Sequence, residues 1–225
     1  WGNSVSCKDI ADLWLHEGFC TYSEALYVEC KHGYDIAMDY VNAKKPGVGN
    51  EAPLIGDYLV NSEGSSDMYS KGMLILNTLR HTMDDDEKWF SIVRGLTVDF
   101  KNTTVSSAEV EDYIATKSGL NLDKFWDQYL RQASPPVLET RKYKKGKKLI
   151  VEYRWKAIDG FDMPLKASYE RDGEEFTMWI KPTTEWRSKV LKKVESDSFK
   201  WDEAHFYYLI DKGMEKEDVT SEKED

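Results

Sequence analysis

The spacing of apolar residues predicts helices throughout the first 133 residues. From about Lys8 to His32, apolar positions recur at intervals of three and four residues, which predicts one long helix with Gly33 as the cap after its end. A shorter helical pattern follows through Tyr40, and others begin near polar residues that favour helix starts: Asp67, the run Asp84-Asp85-Asp86-Glu87, Ser106 and Asn121. These patterns predict an all-α half of five or six helices.

Residues 50–66 interrupt the helical patterns. This stretch lacks clear periodicity and contains Pro53, Gly56 and Gly64. Proline and glycine at this density favour turns, and long loops in compact proteins are often functional. We therefore expect residues 50–66 to form a loop that wraps a cleft.

The period of the apolar residues changes to two after Pro135 and Pro136. Apolar and polar residues alternate from Leu149 to Trp155, as expected for a half-buried strand. Turn signals such as Lys145-Gly146 separate the predicted strands. The predicted strands are Val137 to Tyr143, Leu149 to Trp155, Leu165 to Tyr169, Phe176 to Ile180, Trp186 to Leu191 and Phe206 to Ile210. Short strands at this spacing predict a small antiparallel β-sandwich.

Together, these patterns predict an α+β fold in two domains. The helical domain covers residues 1–133, and the sandwich covers residues 134–212. Residues 213–225 are charged and weakly hydrophobic, so we expect them to form a disordered tail.

The composition excludes several classes of partner. The 225 residues carry a net charge of -10 with a pI near 5.0, which opposes binding to nucleic acid or to an anionic membrane surface. Five lysines between positions 142 and 148 surround Gly146, and we interpret them as a solvated hairpin tip. No apolar run approaches the roughly eighteen residues that span a bilayer. The compartment stays open between cytoplasmic and periplasmic or secreted.

The cysteines and histidines do not predict a metal site by themselves. Cys7, Cys20 and Cys30 lack the C-x-x-C spacing of a thiolate zinc site, and their odd number argues against a dense disulfide framework. We expect Cys20 to pack as a small apolar residue. The four histidines are scattered through the chain, so no two of them have the spacing of metal ligands.

Two carboxylates interrupt an apolar stripe of the first helix. Glu17 and Glu24 share this stripe with Ile10, Leu13, Cys20, Tyr27 and Val28. A buried carboxylate without a partner costs several kcal/mol or takes up a proton. The pattern therefore predicts a cation or strong hydrogen-bond donors opposite Glu17. Either a metal ion or a paired arginine or lysine would satisfy it.

The start of the chain resembles a known family. Trp1-Gly2-Asn3, followed by Asp12-Leu13-Trp14-Leu15-His16-Glu17-Gly18-Phe19, is similar to the zinc aminopeptidases of the gluzincin class, the aminopeptidase N family. In that family, an H-E-x-x-H helix supplies two zinc ligands and the general base, and a glutamate about eighteen residues later supplies the third ligand. The resemblance implies that Glu17 is this third ligand. It also implies that the chain begins just after H-E-x-x-H and continues the helical C-terminal half of a thermolysin-like catalytic domain.

The resemblance also implies roles for other residues. Tyr69-Ser70-Lys71-Gly72 is similar to the family's Tyr-x-Lys-Gly segment, whose tyrosine donates to the oxyanion of the tetrahedral intermediate. Glu24 would orient a zinc-bound histidine, although a salt bridge between helices is an equal alternative. His16 replaces the family's usual asparagine, and we do not expect it to bind metal. Gly18 is costly inside a helix, so another backbone or the substrate should approach it closely.

The implied function is removal of N-terminal residues from peptides by metal-activated water attack. One zinc ion would belong to the intact parent and would be absent from this fragment, which we expect to be inactive alone. The implied partners are a peptide substrate and the missing N-terminal part of the same protein. Two alternatives stay open, a non-catalytic scaffold or peptide-binding member of the same fold and an epoxide hydrolase of the same family. The sequence does not indicate which residues bind substrate or what oligomer forms.

Overall fold

The computed structural model describes residues 1–213, which form two compact units. The helical unit comprises residues 1–135 and 204–207, and the β unit comprises residues 136–203 and 208–213. The predicted α+β class is confirmed. Of the predicted tail, residues 214–225 lie outside the described residues.

Most of the helical unit consists of α-helices joined by short turns. Its helices are α1 (Trp14–His32), α2 (Tyr34–Asn42), α3 (Ser70–Met83), α4 (Asp86–Asp99), α5 (Ser107–Ser118) and α6 (Asp123–Arg131). Where we predicted one helix from Lys8, a 3-10 turn over Ile10–Asp12 precedes α1. Within residues 1–213, no helix has both the length and the apolar character needed to cross a bilayer.

Helix ends follow local capping chemistry at three of the predicted positions. Gly33 ends α1 with a φ of 92°, which favours glycine. Ser106 and Glu109 form a complete capping box at the start of α5. Asp85 caps α4 by accepting a hydrogen bond from the amide of Lys88 at 3.0 Å. The predicted cap at Asp67 is wrong, because that carboxylate binds backbone amides of another segment.

The buried face of α1 differs from the predicted stripe. Its buried residues include the largest apolar side chains of the helix: Trp14, Leu15, Phe19 and Tyr22. In contrast, Glu24 and Cys20 are exposed, and Tyr27 is 62% exposed. The predicted apolar stripe, including the packing of Cys20, is therefore wrong. Three large aromatic side chains on the other face bury more apolar area than a stripe that includes two carboxylates and a cysteine, so they decide which face turns inward.

Helix α3 is buried on all sides. Every residue from Lys71 to Arg80 is buried, because α1, α4 and residues 204–207 cover the helix. Arg80 is satisfied there by bidentate contacts with Glu29 and Asp86 at 2.6–2.9 Å. A helix that tolerates no exposed face provides a rigid support for residues at its ends.

Two short strands also belong to the helical unit. Strand β1 (Val5–Cys7) pairs in parallel with β2 (Thr103–Val105). Three residues give too little alternation for prediction from sequence.

The β unit contains a four-stranded and a three-stranded sheet. Its strands are β3 (Val137–Lys145), β4 (Lys148–Lys156), β5 (Leu165–Arg171), β6 (Glu174–Ile180), β7 (Arg187–Lys192), β8 (Lys200–Trp201) and β9 (Leu209–Lys212). The strand orders are β7-β4-β3-β9 and β6-β5-β8. All neighbouring pairs are antiparallel except β3 and β9, which are parallel. Alternate residues of β4 from Leu149 to Trp155 are buried, as the alternation predicts.

The last predicted strand lies too early in the sequence. Phe206 and Tyr207 are buried in the helical unit instead of a sheet. The amide of Tyr207 donates to Thr78 Oγ1 at 2.9 Å, and its carbonyl accepts a hydrogen bond from the hydroxyl of Tyr129. Aromatic residues have strong strand preferences, but here burial against helices decides their conformation.

The capping box generates a stability prediction. We expect Ser106→Ala to lower the free energy of unfolding by about 1 kcal/mol, because the amide of Glu109 loses its acceptor. Urea unfolding followed by helical circular dichroism measures the change. Ser91→Ala, at an exposed position inside α4, is the matched control and should cause no loss. An equal loss in both variants would contradict the capping role.

Candidate functional site

The candidate site depends on the contact between α1 and α3. A Cβ atom at Gly72 would lie 2.7 Å from the Cα of Gly18. A Cβ atom at Gly18 would lie 3.1 Å from the Cα of Gly72 and 3.2 Å from the carbonyl oxygen of Met68. The two backbones therefore touch where neither residue has a side chain. This confirms the prediction that another backbone approaches Gly18 closely.

This contact brings Glu17 and Tyr69 together. Glu17 precedes Gly18, is half-buried, and interacts with the phenol of Tyr69, which is 47% exposed. The negative charge of Glu17 is the main cause that raises the pKa of Tyr69 above its ordinary value. Burial, the charge of Glu63 and a hydrogen bond to Glu17 act in the same direction. A tyrosine is already protonated at neutral pH, and the upward shift of this pKa extends the hydrogen-donating form to more alkaline conditions.

Hydrogen bonds between side-chain oxygens and backbone amides hold the segment that carries Tyr69. The carboxylate of Asp67 accepts hydrogen bonds from the amides of Gly49 and Asn50 at 2.9 and 2.7 Å. The hydroxyl of Ser65 accepts a hydrogen bond from the amide of Asp67 at 3.1 Å. These contacts join the start of α3 to the chain that follows α2. The segment before Tyr69 is thus attached both to the start of the preceding loop, at Gly49 and Asn50, and to its end, at Ser65.

Lys71 adds a buried charge to the same segment. Its side chain has no exposed surface, and its ammonium donates to the carbonyl oxygen of Ala133. Burial lowers its pKa to about 8, while the nearby charge of Asp67 opposes that shift. In the sequence, Lys71 is distinguished only by its place in the Tyr69-Ser70-Lys71-Gly72 motif. A lysine between Tyr69 and Gly72 gave no sign that it would be buried.

Residues 50–65 form a loop, as predicted, Ser66 begins a 3-10 turn, and hydrogen bonds close the base of the loop; that the loop wraps a cleft stays a prediction. No helix or strand is present between Val48 and Ser65. The amide of Ser65 donates to the carbonyl of Pro53 at 2.9 Å, and the amide of Leu54 donates to the carbonyl of Leu130 at 3.0 Å. The loop is therefore attached to the helical unit shortly before Tyr69.

Asp12 anchors the same loop and was missed as a structural residue by the sequence analysis. Its carboxylate is fully buried, and Oδ1 accepts hydrogen bonds from the hydroxyls of Tyr58 and Ser107 at 2.7 and 2.5 Å. Among residues 1–213, Oδ2 has no hydrogen-bond partner. The aspartate at the start of the motif therefore links α1, the loop and α5. Its position in the motif was the available signal.

Glu24 lies apart from the buried core. It is exposed, and it accepts a hydrogen bond from the hydroxyl of Tyr40 in α2 at 2.7 Å. This bond is the main cause that raises the pKa of Tyr40 to about 12. Within the described chain, Glu24 thus joins two helices through a neutral phenol and forms no ion pair. Its role in orienting a histidine remains a prediction.

His16 contacts the first strand. Its Nε2 accepts a hydrogen bond from the amide of Cys7 at 2.8 Å, so the ring joins α1 to β1. Burial is the main cause that lowers the pKa of His16, which favours the neutral ring that this bond requires. This contact agrees with a structural position for His16.

The donor set accounts for one ligand of a zinc site. Glu17 offers a half-buried carboxylate, and zinc accepts carboxylate oxygen as one of three protein ligands in catalytic sites. In the part of the chain that the structure describes, no group of three or more His, Cys, Asp or Glu residues could hold a metal ion. Glu17 has the chemistry of one such ligand, and a site that used it would need further ligands that the described residues do not bring together.

Comparisons with known proteins show which family and fold the chain resembles. The model of the Peptidase family M1 domain matches residues 1–129. The chain is 23% identical over 186 residues to the membrane alanyl aminopeptidase of Manduca sexta, covering 71% of this chain and 18% of that protein. It resembles the crystal structure of Legionella pneumophila aminopeptidase A in complex with aspartic acid with a TM-score of 0.60 and 14% identity. That match covers 85% of this chain and 23% of the Legionella chain, and it shows the fold alone. The chain thus spans less than a quarter of either relative's length.

The helix contact generates a stability prediction. We expect Gly72→Ala to destabilise the helical unit by about 1 to 3 kcal/mol, because the new methyl group would overlap the backbone of α1. Urea unfolding measures the change. Gly47→Ala is the control, since a Cβ there has no atom within 4 Å. A stable Gly72→Ala variant would mean that the helices do not touch at this point.

The contact between Glu17 and Tyr69 generates a titration prediction. We expect Glu17→Gln to lower the pKa of Tyr69 toward the ordinary value, because the main cause of the shift is removed. Ultraviolet titration, with a Tyr69→Phe variant to identify the signal, measures this pKa. Glu24→Gln should lower the pKa of Tyr40 and leave that of Tyr69 unchanged. If the pKa of Tyr69 is the same in Glu17→Gln as in the wild type, the two side chains do not interact.

Proposed function

Because the chain belongs to peptidase family M1, as the match over residues 1–129 shows, we propose that it is part of a zinc aminopeptidase. The proposed reaction is removal of N-terminal residues from peptides. The observation that supports it best is the contact of Glu17 with Tyr69 beside the Gly18–Gly72 crossing. One carboxylate and one phenol would then serve the same reacting carbonyl from neighbouring positions.

In this proposal, Glu17 is a zinc ligand. When bound, zinc supplies a Lewis acid that polarises a carbonyl oxygen. Glu17 contributes a charged oxygen donor on a helix whose other face is locked into the core by Trp14 and Phe19. This anchoring limits the movement of the carboxylate. The remaining ligands would be supplied by H-E-x-x-H in a part of the protein outside these residues.

Tyr69 would stabilise the negative charge that develops on the carbonyl oxygen. Its phenol is protonated at neutral pH, as a hydrogen-bond donor must be, and the raised pKa extends this form to more alkaline pH. A donor aimed at a developing oxyanion contributes roughly 3 to 4 kcal/mol to the stability of a transition state. The phenol, which lies within the electrostatic influence of Glu17, would donate its hydrogen bond to the substrate. The packed start of α3 would hold the hydroxyl in place while it donates.

Isolated residues 1–225 are proposed to be inactive. Glu17 alone cannot hold a catalytic zinc ion, and the substrate amine would be bound by acidic residues elsewhere in the parent. The expected partners are therefore a peptide and the rest of the same protein. Glu24 is proposed to orient a ligand in the assembled site, in keeping with its place two turns along α1 from Glu17.

The decisive experiment uses the whole protein that contains this chain. We expect Tyr69→Phe to lower kcat for an aminoacyl amide by about 100-fold or more while zinc content is kept, because only the oxyanion donor is lost. Glu17→Gln should lower both zinc content and turnover. Tyr27→Phe removes the hydroxyl of a tyrosine on α1 that is 62% exposed, and it should retain most activity.

Near wild-type turnover in Tyr69→Phe would remove the phenol from the mechanism. A parent that binds peptides but hydrolyses none would favour the scaffold alternative. Hydrolysis of epoxides in place of aminoacyl amides would favour the third alternative.

A further inference from the structure

The β unit contains a cleft that is separate from the residues discussed above. It has a volume of about 410 Å³, which falls in the range of small-molecule sites. Its walls come from both sheets: β3, β4 and β9 contribute one side, and the segment around β8 contributes the other. All of the lining residues belong to the β unit. A ligand of this cleft is therefore independent of the proposed peptidase activity.

The floor of the cleft is apolar and fixed. Val151 is fully buried, Phe199 is 6% exposed, and the rings of Phe199 and Trp201 pack edge to face with centroids 5.1 Å apart. The indole N–H of Trp201 donates to Thr140 Oγ1 at 3.3 Å, which joins the two sheets at this point. A preformed aromatic floor of this kind favours a flat apolar group.

The rim of the cleft is positively charged. Lys200 and Lys212 lie on opposite sheets, both are exposed, and neither forms an ion pair within residues 1–213. Arg141 also lines the cleft, and its guanidinium stacks on the ring of Trp186 at 4.4 Å. One acidic side chain, that of Glu203, lies among them. The cleft therefore attracts anions.

The charge of the β unit differs from that of the whole chain. Its described residues contain 17 Lys or Arg against 14 Asp or Glu, whereas the complete sequence has a net charge of -10. The exclusion of anionic partners from the overall charge thus does not apply to this unit. Local charge decides what a cleft attracts.

We propose that this cleft binds a small amphipathic monocarboxylate, with an aromatic or aliphatic body on the floor and the carboxylate between Lys200 and Lys212. The apolar floor requires an apolar body, which an inorganic anion lacks. The volume limits the body to about one ring with a short chain.

The test is an NMR titration of the 225-residue chain with 3-phenylpropionate. We expect a saturable shift of the Trp201 indole N–H signal, identified with Trp201→Phe, because its ring forms the floor. The neutral 3-phenylpropionamide should bind at least about tenfold more weakly, since it lacks the charge. Acetate should also bind at least about tenfold more weakly, since it lacks the ring. Equal binding of the acid and the amide, or of the acid and acetate, would overturn the proposal.

Charge variants provide the second part of the test. Lys200→Gln combined with Lys212→Gln should weaken binding by about tenfold. Lys181→Gln combined with Lys189→Gln removes the same charge from exposed positions outside the cleft and should leave binding unchanged. All four lysines are exposed, so the fold should persist, and each single variant gives the same comparison. Equal weakening in both pairs would show attraction by overall charge and would overturn the proposal.

Discussion

The direct contact of two helix backbones at Gly18 and Gly72 is the constraint on which the helical unit depends. Side chains normally keep helix axes 8 to 10 Å apart, and only glycine on both sides permits a closer approach. The contact therefore determines the separation of α1 and α3. It also determines where Glu17 and Tyr69 lie, because each is within one turn of a contacting glycine. A larger side chain at either position would change both packing and chemistry.

Polar side chains attach neighbouring segments of the helical unit to α1 and α3. Asp12 holds the loop to α1, Asp67 holds the start of α3 to the chain after α2, and Lys71 holds α3 to the carbonyl of Ala133. Asp12 and Lys71 are buried and would be costly without partners, so they favour one arrangement over alternatives. The loop before Tyr69 is thus ordered by charges and hydrogen bonds together with the burial of Leu54.

The sequence predicted features whose causes are local. The capping box at Ser106, the cap at Gly33 and the alternation from Leu149 to Trp155 depend on neighbouring residues, and the structure contains all three. Gly18 also indicated a close approach, because glycine is costly inside a helix. The buried face of α1 could not be obtained this way, since it depends on which distant elements cover Trp14 and Phe19. The position of Phe206 failed for the same reason, because helices far away in sequence bury it.

The two units alternate along the chain, and this order affects how the protein folds while it is being synthesised. Residues 204–207 complete the core around α3, yet they are made only after most of the β unit. During translation, part of the interior of the helical unit therefore stays uncovered until more than sixty further residues have left the ribosome. Such delayed closure raises the contact order and exposes apolar surface to chaperones or to aggregation. For the same reason, cutting the gene after Pro135 would remove Phe206 and Tyr207 from the helical unit.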